Sequence, residues 1–89
     1  MLKINIKIEY QDGESETFTT CPPDIVKWER QTGRSIRLFA EEWTYTDLLQ
    51  LAHNVLVRER AGKQTLPFDT WMLSVSNVSM AEDNPKAMN

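Results

Sequence analysis

Residues 2 to 10, LKINIKIEY, alternate without a break: Ile4, Ile6, Ile8 and Tyr10 fall on one face and Lys3, Asn5, Lys7 and Glu9 on the other. A period of two is that of a half-buried strand, and the Asp12-Gly13 that follows supplies a hairpin turn. The return strand, ESETFTTC, is rich in threonine, which suits a pleated strand with one wet face. A two-residue loop sets Phe18 opposite Lys7, whereas a three-residue loop with a glycine bulge sets it opposite Ile6, beside the isoleucines. The bulged register is the expected one. An isolated hairpin is marginal in water, so its apolar face has to lie on helices from the rest of the chain. The expected class is therefore α+β: an N-terminal β-hairpin packed on about three helices, a single small domain over residues 1–80, with a flexible polar tail over residues 81–89.

Three helices are legible downstream. Pro22 and Pro23 end the second strand and suit a helix start, where their missing donors would have been unpaired anyway. From Asp24 on, Ile25 and Trp28 share a face, Lys27, Glu29, Arg30 and Gln31 reach water, and Gly33 fits the left-handed position past the helix end. So short a helix needs an anchor, and Trp28 is the candidate. Residues 34 to 43, RSIRLFAEEW, show no long period and read as a helical turn plus a linker. Thr44 and Asp47 then form a capping-box pattern, and Tyr45, Leu48, Leu49, Ala52, Val55 and Leu56 recur at spacings of three and four up to a stop at Gly62. Leu51 and Val57 widen that stripe beyond what one hairpin covers, which implies either packing on two sides or a patch for a partner. After the loop AGKQTL, Pro67 opens a last helix, with Phe68, Trp71, Met72 and Val75 on one face, that should end near Asn77.

Composition narrows the function classes. A chain of 89 residues holds one core, and 40% hydrophobic residues with three tryptophans argue against disorder throughout. A net charge of −3 gives no electrostatic reason to bind nucleic acid. No stretch approaches the length of a membrane span, and the N-terminus lacks the apolar run of a signal peptide. With the single cysteine Cys21, the default expectation is a cytosolic protein.

Little points to chemistry. His53 is the only histidine, and the nearest carboxylates, Asp47 and Glu59, stand six residues away off its helical face; a structural or surface role is the reading. Cys21 lacks a histidine at a telling spacing and reads as a small packed residue. The acidic groups Glu41-Glu42 and Asp12/Glu14/Glu16 match no calcium loop, and no phosphate loop, nucleophile elbow or zinc pattern occurs. The expectation is no enzyme, no metal and no cofactor. Tryptophans mark both cores and interface centres. Trp28, Trp71, Leu48 and Leu49 are expected as core anchors, while Trp43, in a linker, heads a set of candidate contact residues that includes Phe39, Leu38, Leu51, Arg30 and Arg34.

Taken in order, the parts are a strand, a DG turn, a threonine-rich strand, PPDIVKWERQTGRS, a connector, YTDLLQLAHNVLVRERAG, LPFDTWMLSVSNV and a polar tail. This order resembles the short tail assembly chaperones of long-tailed phages. Their pattern D-x-x-x-[WF]-E-R before a glycine falls here on Asp24, Trp28, Glu29, Arg30 and Gly33. Their leucine- and alanine-rich helix falls on Leu48 to Arg60, and F-[DE]-x-[WF] on Phe68, Asp69 and Trp71. The chain departs from the family at Leu51-Ala52-His53-Asn54, where a tryptophan or phenylalanine is common.

The resemblance implies a non-enzymatic factor that coats the long, helical, aggregation-prone tape measure protein in the host cytoplasm and is absent from the finished virion. The partners it implies are proteins: the tape measure protein, a longer frameshifted form and the tail tube protein, with homo-oligomers compatible. Such families often use a −1 ribosomal slip, and Asn84-Pro85-Lys86 permits a slippery heptamer, C CCA AAG or C CCA AAA. The alternative reading is a small phage protein that binds and modulates a host factor or triggers a host defence system. A long helical reading frame downstream of the gene separates the first from the second.

Overall fold

The computed structural model describes residues 3–60 and 63–80. Strands β1 (Asn5–Tyr10) and β2 (Ser15–Thr19) form the expected hairpin in the bulged register, with Ile6 opposite Phe18. The turn explains why. Gly13 N–H reaches Tyr10 C=O at 3.0 Å, Tyr10 N–H reaches Glu14 C=O at 2.9 Å, and Gly13 takes φ 94°, which a side chain would oppose. Ile4, Ile6 and Ile8 are buried on one face.

The first helix, α1, spans Pro22–Thr32 and ends at Gly33 with φ 71°, whose N–H caps Glu29 C=O at 2.8 Å. A 3-10 turn at Ile36–Leu38 runs into the single turn α2 (Phe39–Glu42). The longest helix, α3 (Tyr45–Glu59), opens on the expected capping box: Thr44 Oγ1 accepts from Asp47 N–H at 3.1 Å, and Asp47 Oδ2 accepts from Thr44 N–H at 2.9 Å. It closes at Glu59; Gly62 and the 81–89 tail lie outside the described residues.

The chain after Pro67 departs from expectation. Helix α4 stops after one turn, Phe68–Met72, and Val75–Met80 is a third strand, β3. It pairs antiparallel with β1, giving the sheet order β2-β1-β3. Tyr10 faces Val75 and Ile8 faces Val78, so the register shift between Glu9 and Tyr10 leaves Ser76 as an extra residue on β3. That bulge turns Val75 and Val78, three apart in sequence, to the same face. The spacing therefore imitates a helical stripe, and the β-branched valines decide for the strand. With three antiparallel strands and helices on one face, the chain is α+β.

Helix α3 lies at the centre, touching β2 and β3, α1 and α4. From Asp47 to Leu56 it is buried at every position but Gln50, so the broad apolar stripe means packing on two sides. Leu48, Ala52 and Val55 join Ile4, Ile6, Ile8 and Val78 in one core. On the stripe toward α1, Trp28 Nε1–H donates to Asp47 C=O at 3.2 Å and Asn54 Nδ2 donates to Gln31 Oε1 at 2.9 Å. His53 fills a structural place against α4: Nε2–H donates to Leu66 C=O at 2.8 Å, and its ring lies 5.6 Å from Phe68 and 5.1 Å from Trp71.

A buried ion pair ties three elements together. The Asp24 carboxylate accepts from Cys21 N–H at 2.8 Å, which caps α1. It also accepts from Arg58 Nε at 2.9 and 3.0 Å, while Arg58 Nη2 donates to Thr19 C=O at 3.2 Å. Removing one partner strands a charge in the interior. Arg58→Met should cost about 3 kcal/mol in a urea titration, toward the lower end for a broken buried pair because the Arg58 side chain is 29% exposed. Asp24→Asn/Arg58→Met should cost clearly less than the sum of the single changes; simple additivity would mean that the pair is not coupled.

Candidate protein-binding surface

Three aromatic rings lead from the core to the surface. Trp28 is buried beneath α1, and Phe39, also buried, meets its ring edge-on with centroids 5.5 Å apart and planes at 86°. Trp43 then stacks on Phe39 at 6.1 Å with planes at 22° and stays 40% exposed. Leu38, next to Phe39 in the chain, is 46% exposed. Each contact is an arrangement that ring quadrupoles favour. The stack holds the 3-10 turn and α2, which are too short to be stable alone, and so presents Trp43 and Leu38 on a fixed support.

The expected contact residues divide. Trp43 and Leu38 lie at this apolar corner, and Arg30 is exposed on α1. Arg34 is half exposed, with its guanidinium 5.4 Å from the Trp28 ring centre and paired with Asp47. Phe39 and Leu51 are not available to a partner: both are buried. Phe39 is claimed by the two tryptophans, and Leu51 by the stripe of α3 that faces α1, so these two assignments are corrected. Trp28, Trp71, Leu48 and Leu49 are all buried, and Trp71 Nε1–H approaches Tyr10 Oη at 3.4 Å.

The electrostatics at the base of this corner centre on Asp47. Burial disfavours its ionised form, but the hydrogen bond from Arg34, the Thr44 N–H and the positive charge of Arg34 more than reverse that and hold the carboxyl below its ordinary value. Among the described residues no group of three or more His, Cys, Asp or Glu could hold a metal ion. What this stretch offers a partner is apolar surface from Leu38 and Trp43, with Arg37, Glu41 and Glu42 exposed in the same run of chain.

A second apolar area escaped the sequence reading. Val26, off the Ile25/Trp28 face, is 44% exposed and lies with Pro22, Pro23, Lys27, Arg30 and Gln31 along a shallow groove of about 700 Å³ on the outside of α1. The signal was present, since Pro22, Val26 and Arg30 stand four residues apart.

Trp28→Ala should cost about 3–5 kcal/mol in denaturant, and Trp43→Ala only about 1 kcal/mol, the worth of an aromatic stack on a partly exposed ring. Equal costs would overturn Trp43 as a presented residue. The depressed Asp47 carboxyl adds stability that is complete above its unfolded value, about pH 4, and is lost as pH falls through the lower folded value. Asp47→Asn should therefore lower the melting temperature at pH 7 and flatten its fall below about pH 4; an unchanged slope would assign that acid loss to other carboxylates. Compared with family models, with curated proteins and with solved structures, the chain matches none.

Proposed function

We propose that this protein is a non-enzymatic tail assembly chaperone of the long-tailed-phage type, which binds the tape measure protein and keeps it soluble while the tail is built. The observation that carries the reading is the Leu38–Trp43 corner: Trp43 held at the surface by a buried aromatic support, with Leu38 exposed in the same connector. A long amphipathic helix has an apolar stripe that aggregates when bare. A small acidic domain that covers part of this stripe hides it and adds solubilising charge to each covered segment.

The resemblance in the order of elements supports the same reading. A longer product departing after Met80 would keep all three described strands. The Asn84–Lys86 tripeptide lies outside the described residues.

Co-expression tests the proposal: the protein should bring a tape measure protein from its own gene neighbourhood into the soluble fraction and co-purify with it. Leu38→Ser/Trp43→Ala should lose at least half of that recovery while still folding, with a melting temperature lowered by no more than about 8 °C. A tape measure protein equally soluble without the chain, or full recovery with the double variant, would overturn the role or the corner respectively.

A further inference from the structure

We propose that the outer face of α1 is a docking groove for an acidic amphipathic helix of a protein partner. Its shape is that of two ridges. Pro22, Val26 and Arg30 make one row of residues four apart, and Pro23, Lys27 and Gln31 make the next. A groove between two such rows is what a helix offers to the side-chain ridge of another helix crossing it at about −50°. The apolar end, Pro22, Pro23 and Val26, receives a partner's aliphatic residue, and the two proline rings lose almost no side-chain entropy when covered.

Charge selects among helices. The two carboxylates of α1 are both occupied: Asp24 is buried against Arg58, and Glu29 Oε2 accepts from Ile36 N–H at 2.8 Å. Its outer face is left with Lys27 and Arg30, neither of which pairs with a carboxylate among the described residues. In a chain of net charge −3, two adjoining unpaired cations beside an apolar floor favour a partner with carboxylates flanking its apolar stripe and repel a basic one. The inference rests on α1 alone and holds whether or not the partner is a tape measure protein.

The test uses the whole chain, 15N-labelled, and two designed helical peptides of about 20 residues, long enough to fold alone. They share one leucine–alanine stripe, flanked by glutamates in one peptide and by lysines in the other. Amide shifts should change over residues 24–31, since Pro22 and Pro23 carry no amide proton, and the glutamate peptide should bind at least about tenfold more tightly at low salt, with the gap narrowing as salt is added. Lys27→Glu/Arg30→Glu should invert the preference, and Val26→Ser should weaken both peptides; Lys27→Gln/Arg30→Gln, which should abolish the preference, serves if charge reversal disturbs the fold. Equal affinity for the two peptides, or no shift over residues 24–31 with either, overturns the proposal. So does a shift of those residues on concentrating the protein alone, which would assign the groove to a second copy. The peptides carry no tape measure sequence, so failure here and failure of the co-expression experiment are separate results.

Discussion

A helix that is buried all round cannot be stable unless the rest of the chain surrounds it, and in this small domain α3 sets that demand. The sheet covers one side, α1 another and α4 a third. The polar groups that α3 carries inward are matched one by one: Asn54 by Gln31, Arg58 by Asp24, His53 by the Leu66 carbonyl. Buried polar groups cost little when satisfied and a good deal when not. The surrounding elements are therefore held in register by hydrogen bonds as well as by packing. Asp24 joins both kinds of constraint, because the same carboxylate caps α1 and pairs across to α3.

Where local chemistry decides the structure, the sequence is readable. The hairpin register follows from one glycine and the need to keep Phe18 beside the isoleucines, and the start of α3 follows from Thr44 and Asp47. Readability stops where a distant partner decides. Residues 75–80 carry a spacing that a helix and a bulged strand share, and only pairing with β1 separates them. Phe39 sits in a segment without period, so nothing local shows that two tryptophans enclose it. Trp43 and Leu38 could be picked out from their place in the connector. Val26 is passed over because a single apolar residue on a charged helix face carries no signal until its neighbours four residues away are counted with it.

The aromatic stack couples interior and surface. A partner that covers Trp43 also restricts Phe39 and, through it, Trp28, so binding at the corner and order in the core favour one another, and any ligand of the native state raises its apparent stability. At the β3 edge of the sheet a different device operates. Tyr45 Oη accepts from Val78 N–H at 2.9 Å and donates to Asn77 Oδ1 at 3.2 Å. A backbone donor on β3 that would otherwise invite a further strand is thereby occupied.

The order of the strands bears on how the chain reaches this structure. β1 is central, with one neighbour from its own hairpin and the other from the far end of the described chain. The first pairing is local and quick, whereas the second must close a long loop, whose entropic cost falls before any contact repays it. Until β3 arrives, the backbone groups of Lys7 and Glu9 that later face it form an open edge, the kind of surface through which folding intermediates associate. Lys7 and Glu9 are also the charged positions of an otherwise isoleucine-rich strand, 3.5 Å apart in an ion pair on its wet face. In the finished sheet such an exposed pair is worth little. During folding, the two residues act as gatekeepers that make the unfinished edge a poor template for another chain.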